Sequence, residues 1–158
     1  EDRAVPGYWE GDLLMGSVDS RIATLVERQS RFVMLVRLGA KTSDDVVAAL
    51  ARQVKQLPKQ MQASLTWDRG SELTSHAKFT LATNVKVYFC DPQSPWQRGS
   101  NENTNGLLRQ YFPKGATFAQ VTQAELNAVA RELNSRPRKT LGYKTPAAIF
   151  AEAVAATG

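Results

Sequence analysis

The sequence predicts an α/β domain, a mixed sheet covered by helices, and three observations carry that prediction. Three short apolar segments follow one another near the start with only brief turns between them. Beyond them a helical pattern, a strand, a second helical pattern and a strand alternate. The last third is mainly helical, which supplies the cover a sheet of this size requires.

The first three strands form a meander. Tyr8 to Met15 (YWEGDLLM) reads as a strand whose alternation sets Glu10, Asp12 and Leu14 on one side. An acid inside an otherwise apolar strand is costly unless it is paired or bound to a cation. After a turn near residues 17–20, Arg21 to Glu27 and Phe32 to Leu38 read as two more strands. The joint Arg28 to Arg31 is short enough to make them an antiparallel hairpin.

Thr42 to Leu57 carries helix signals: Thr42-x-x-Asp45 fits a capping box with Asp at its last position. Val46, Val47, Leu50, Val54 and Leu57 form one apolar stripe, and Pro58 stops it. Ser64 to Trp67 is a short strand ending at Asp68-Arg69-Gly70-Ser71. A carboxylate at the C-terminal end of a strand lies where open α/β sheets place their sites, and it is equally a common turn residue. Residues 72–82 read as a short helix with Glu72 at its start, and Val85 to Phe89 as the fifth strand.

Asp91 to Lys114 (DPQSPWQRGSNENTNGLLRQYFPK) opens as a proline turn, with Asp91 as turn former, and becomes a helix over about Ser100 to Tyr111. Glu102, Asn105 and Arg109 share one face at i, i+3 and i+7; Thr104, Leu107, Leu108 and Tyr111 lie opposite. The apolar stripe is expected to dock on a core and hold the polar trio outward. A plain amphipathic surface helix shows the same pattern. Thr122-x-x-Glu125 is a full capping box before Leu126, Val129, Ala130 and Leu133 at helical spacing. Asn134 to Lys144 (NSRPRKTLGYK) reads as a basic loop, and Thr145-Pro146 opens the last helix.

Composition excludes several classes. A length of 158 residues suits one domain, and 42% hydrophobic with 22% charged residues is ordinary for a globular chain. No apolar run approaches the roughly 20 residues of a membrane span, and there is no signal-peptide pattern. The chain starts at Glu1 without a methionine, which suggests a piece of something longer. The single cysteine, Cys90, excludes a disulfide framework and a cysteine-based zinc site, and reads as a small apolar residue ending a strand. The only histidine, His76, sits in a polar segment without a partner motif, which disfavours a Ser-His-Asp hydrolase. The net charge is +5, and Arg98 to Lys144 holds eight Lys/Arg against three Glu, so the whole excess lies there. That asymmetry suggests a polyanion partner, with a solubilising face as the competing account.

Asp12 in the first strand, Asp68 ending the fourth and Glu102 opening the helix after the fifth now form a candidate set. Central strands would bring Asp12 and Asp68 side by side, with the helix laying Glu102 across them. Three carboxylates in contact repel unless cations sit among them. Hard divalent ions suit such oxygen donors, Mg²⁺ especially. Two of them roughly 4 Å apart activate an attacking oxygen and stabilise a leaving one.

The chain resembles the catalytic core of DDE transposases and retroviral-type integrases, and more narrowly the insertion-sequence-thirty family of bacterial transposases. The resemblance rests on WEGDLLMG around Asp12, TWDRGSE around Asp68, DPQSPWQRGSNENTNGLLRQYFPKG around Glu102, and LNSRPRKTLGYKTPAAIF. Thirty-three residues separate Asp68 from Glu102, the spacing of that family. The likeness covers nearly the whole chain; its third motif is long and specific, whereas WEGD alone is weak.

The resemblance implies a ribonuclease H-like fold: a five-stranded mixed sheet, a three-strand antiparallel meander plus two parallel strands, flanked by helices in one core domain over 1–158. It implies that Asp12, Asp68 and Glu102 are catalytic and ligate two Mg²⁺ or Mn²⁺ ions. Arg109 matches a basic position that contacts DNA near the cleavage site, and Asn105 a polar position touching phosphate or a metal-bound water. Arg98, Lys114, Arg136, Arg138, Lys139 and Lys144 are further candidates for DNA phosphates, with a solvated loop as the other account of the last four. Glu10 is either a flank of the site or a salt-bridge partner, and Trp96 either stacks on a base or pins its loop.

The implied reaction nicks the ends of a mobile element, frees a 3′-OH and transfers it to target DNA without a covalent protein–DNA intermediate. The implied partner is double-stranded DNA, with at least a homodimer acting on paired ends in the bacterial cytoplasm and no membrane. Full-length members of the family carry a helix-turn-helix region before the core. Nothing before Tyr8 fits that region, so this chain alone is expected to bind DNA weakly and with little sequence preference. Two other readings stay open: a structure-specific nuclease of the same fold that never joins strands, and a non-catalytic DNA-binding or assembly module.

Overall fold

A computed structural model describes residues 5–18, 20–38, 43–67, 76–89 and 99–157. One sheet holds β1 (Tyr8–Met15), β2 (Arg21–Glu27), β3 (Val33–Arg37), β4 (Ser64–Trp67) and β5 (Lys86–Phe89), in the order β3-β2-β1-β4-β5. β1 pairs antiparallel with β2, and β2 with β3; β4 lies parallel to β1, and β5 parallel to β4. This is the meander plus two parallel strands that the sequence predicts. β1, β2 and β4 span the expected residues, while β3 and β5 are shorter by one or two.

The helices are α1 (Ser43–Val54), α2 (His76–Thr83), α3 (Gly99–Leu108), α4 (Gln123–Asn134) and α5 (Pro146–Thr157). Alternation along the strands sorts the core into two layers. Trp9, Leu25, Val36, Leu65 and Trp67 join Val46, Leu50 and Phe79 of α1 and α2 on one face. Leu14, Ile22, Val26, Val33 and Leu35 join Leu108 of α3 and Leu126 and Leu133 of α4 on the other. Phe150 of α5 stacks on Phe32 at 4.2 Å and meets the Trp9 ring edge-on at 6.1 Å. The proposed Thr42 cap lies outside the described residues.

Gly11 fixes the centre of the sheet. Its Cα partner on β4 is Trp67, and a Cβ at position 11 would land inside the Trp67 ring and 3.1 Å from Leu65 Cδ1. The glycine therefore lets a large indole lie across β1 where the parallel β4 ends.

The free edge of β3 is closed by two amides of α4, a device the sequence analysis missed. Asn134 Oδ1 accepts from Val33 N at 2.9 Å, and its Nδ2 donates to Val33 O at 3.0 Å. Gln123 Oε1 accepts from Arg37 N at 2.8 Å, and its Nε2 donates to Leu35 O at 2.7 Å. The amides stand in for a sixth strand and block edge-to-edge pairing. α4 starts as expected, with Thr122 Oγ1 accepting from Glu125 N at 3.1 Å and Glu125 Oε1 accepting from Thr122 N at 3.0 Å.

The basic segment Asn134 to Lys144 is not an open loop. Arg138 N donates to Lys144 O at 2.9 Å and Tyr143 N to Arg138 O at 2.8 Å, around a 3₁₀ turn at Lys139–Leu141. The reversal uses left-handed backbone at Gly142 (φ 63°) and Tyr143 (φ 66°), and Gly142 supplies that conformation without a Cβ penalty.

Gly11→Ala is expected to destabilise the fold by at least about 2 kcal/mol through overpacking against Trp67. A urea midpoint equal to the parent's would refute the close-approach account. Gln123→Ala combined with Asn134→Ala should expose the β3 edge and give concentration-dependent self-association, read by sedimentation. Monodisperse monomer at every concentration would show that the amides are dispensable as an edge guard.

Candidate active site

β1 carries two acids on the α3 side of the sheet, and the structure treats them differently. Glu10 is 1% exposed, and its Oε2 lies 3.1 Å from Arg28 Nε. Of its two readings, this is the salt-bridge partner. Burial makes such an acid tolerable only when its charge is met at close range. Asp12, two residues on, is half-buried, and its Oδ1 accepts from the following backbone N of Leu13 at 2.8 Å. Its Oδ2 accepts from Asn105 Nδ2 at 3.2 Å.

That contact joins β1 to α3 across 93 residues of sequence. α3 buries Thr104 and Leu108 against the sheet, with Leu107 and Tyr111 packed at the edge of the same cluster. The Asn105 and Arg109 face is not held outward, as the sequence suggested, but turned onto the C-terminal half of β1. Arg109 Nη2 donates to Met15 O at 3.0 Å and Nη1 to Phe112 O at 3.4 Å, so the guanidinium ties the end of β1 to the end of the helix. Glu102 belongs to α3 one turn ahead of Asn105, about 4.5 Å back along the axis. Its side chain lies outside the described residues.

Asp68 also lies outside them. Its neighbour Trp67 ends β4 opposite Gly11, the residue before Asp12. Arg98, Trp96, Cys90, Asp91 and Glu72 are likewise outside, and His76 is described only as the start of α2. Among the described residues no group of three His, Cys, Asp or Glu side chains gathers. The donor set expected here consists of oxygens, which suits hard divalent ions. Asn105 Oδ1 adds a buried oxygen with no hydrogen-bond partner among the described residues, beside the Asp12 carboxylate.

The remaining basic candidates follow α3 and α4 in the chain. Lys114 and Lys139 are exposed, and the exposed Lys144 lies 3.5 Å from Glu152. Arg136 is anchored: Nη2 donates to Tyr111 Oη at 2.6 Å, Nη1 donates to Gln110 Oε1 at 3.2 Å, and its guanidinium lies over the Tyr111 ring. Tyr111 in turn donates to Glu132 Oε1 at 2.5 Å, and burial together with that bond pushes its phenol above the ordinary range. Burial and the neighbouring Arg136 charge hold the Arg138 guanidinium below its usual value. A groove of about 250 Å³ between β3, α1 and α4 has no carboxylate in its lining and is separate from this set.

A family model described as the integrase core domain matches residues 2–95. The chain belongs to the integrase core domain family. This integrase core is 58% identical over 157 residues to the transposase InsI of insertion sequence element IS30A from Escherichia coli (strain K12), covering 99% of the chain and 41% of that relative. It is 48% identical over 155 residues to the transposase of insertion sequence element IS1086 from Cupriavidus metallidurans, covering 98% and 46%. It thus spans less than half the length of these relatives. The catalytic core domain of BIV integrase has the same ribonuclease H-like fold, with a TM-score of 0.71 at 18% identity over 96% of this chain and 97% of that one. Cores of this family generally use divalent metal ions.

Asn105→Asp would put a second carboxylate beside that of Asp12. It should lower stability by about 1–2 kcal/mol at pH 7.5. The loss should shrink at pH 4.5, where protonation of one partner removes the repulsion. An equal loss in urea melts at both pH values would assign the effect to packing instead of charge.

Proposed function

We propose that this integrase core is the catalytic part of a DNA transposase that nicks the ends of a mobile element and joins the freed 3′-OH to target DNA. The observation that carries the reading is the Asn105–Asp12 hydrogen bond, which ties the helix of Glu102 against the strand of Asp12. Similarity to two insertion-sequence transposases over nearly all of this chain supports it.

In this reading Asp12 of β1, Asp68 after β4 and Glu102 in the first turn of α3 are the catalytic carboxylates, and residues 1–158 form one core domain. They would hold two Mg²⁺ or Mn²⁺ ions, which supply activation of the attacking oxygen and neutralisation of phosphate charge. Asn105 fixes the orientation of the Asp12 carboxylate, and Arg109 braces α3 on the end of β1. Nicking and joining are the same in-line displacement with different nucleophiles, water first and then a sugar hydroxyl. The protein's share is to hold the reacting groups in line.

Arg98, Lys114, Arg136, Arg138 and Lys139 bind phosphates of double-stranded DNA, as do Asn105 and Arg109. A phosphate at Arg138 relieves the repulsion from Arg136 that depresses it. Paired ends require at least two copies of the chain acting together.

The test is a joining assay with a duplex oligonucleotide bearing a pre-cut 3′-OH, supercoiled target DNA and Mg²⁺ or Mn²⁺. Joined products are expected, with Asp12→Asn and Glu102→Gln each reducing them by about 10³-fold or more while the fold is kept. Nicks without joined strands would point to a nuclease. Wild-type rates from both variants would end the catalytic reading of these acids.

A further inference from the structure

Among the described residues, one half of a sheet face is not packed by α3 or α4. α3 and α4 pack chiefly on β1, β2 and β3. The same face continues onto β4 and β5 through Thr66, Lys86 and Tyr88. Their neighbours Leu65, Trp67 and Val87 turn the other way, into the α1 layer, which fixes the direction of these three. Thr66 is half-buried, Lys86 is exposed and Tyr88 is 53% exposed.

Three features of this face point to one ligand. An aromatic ring and an ammonium stand at i and i+2 on a rigid strand, the alternation with which proteins take a base and its phosphate from single-stranded nucleic acid. Tyr88 lies in the row of Cα partners Glu10–Thr66–Tyr88. That row is two residues, roughly 6.5 Å, before Asp12 along the strands, and Tyr88 on β5 stands two strands, roughly 10 Å, across the sheet from β1, so it lies about 12 Å from Asp12. The acid in the row is Glu10, which is buried and met by Arg28 at 3.1 Å, so among the described residues of β4 and β5 on this face the exposed charge is that of Lys86.

We infer that Tyr88 and Lys86 form a subsite for one unpaired nucleotide of the DNA strand, about two nucleotide steps from the reacting phosphate, the ring stacking on the base and the ammonium meeting its phosphate. The inference rests on the transposase reading for its substrate. A ring can stack on a base face only where that base is not already stacked on both sides by its neighbours, so the base must leave its stack to reach the ring. The subsite therefore favours ends that are frayed or carry an overhang.

The experiment titrates the chain at low salt into two duplex oligonucleotides, one blunt and one with a two-nucleotide overhang carrying 2-aminopurine, following anisotropy and 2-aminopurine quenching. Tyr88→Ala should weaken binding of the overhang duplex by about 5- to 100-fold and abolish the quenching, with the blunt duplex unaffected. Tyr88→Phe and Tyr88→Trp should keep both signals, since stacking needs the ring and not the hydroxyl. Unchanged overhang binding by Tyr88→Ala, with circular dichroism matching the parent, overturns the subsite; so does an equal loss on both duplexes. The two readings fail separately. Ring-dependent quenching in a protein that never joins strands keeps the subsite and removes the transposase, whereas normal joining with unchanged Tyr88→Ala binding does the reverse.

Discussion

An indole ring occupies the space that a side chain at position 11 would need, and much of the molecule follows from that fit. Trp67 crosses β1 at Gly11, which holds the two parallel strands in one register. In sequence Asp12 follows the glycine and Asp68 follows the tryptophan, so the fit joins the two strand positions that precede these acids. A bulkier residue at position 11 would compel β4 to shift or its ring to leave the core. The catalytic reading thus depends on a packing contact on the opposite face of the sheet from Asp12.

β1 also shows how one strand serves two chemistries. Its odd-numbered positions, Trp9 and Leu13, feed the α1 layer, while Glu10, Asp12 and Leu14 face α3 and α4. The two acids on that side differ only in what reaches them. Arg28, just beyond the end of β2, closes over Glu10 and makes it part of the core. Asp12 accepts from neutral donors, the Leu13 amide and the Asn105 side chain, which orient its carboxylate. An oriented carboxylate is what a cation-dependent site requires.

The helices divide the work in a similar way. α4 seals the sheet edge with Gln123 and Asn134, spaced so that both amides reach β3 from one helix face. α3 contributes little apolar surface beyond Leu107, Leu108 and Thr104, and is held also by polar ties: Asn105 to Asp12 and Arg109 to Met15. A helix held in part by polar contacts at the rim of a sheet is suited to carry a functional carboxylate, because its position answers to the charges around it.

By itself the sequence determined the elements and their order. Alternation in YWEGDLLM, the capping box at Thr122 and Glu125 and the Pro146 start are local signals, and local signals are written in neighbouring residues. The family motifs and the 33-residue spacing added what those acids do in similar proteins. What only the tertiary structure decided are the long-range pairings: that Glu10 takes Arg28, that the Asn105 and Arg109 face turns onto β1 instead of outward, that α4 closes the β3 edge, and that Tyr88 stands exposed. Helical periodicity names the residues that share a face but not what that face meets. The partner is chosen when strands and helices distant in sequence come into contact, and no local rule fixes that choice.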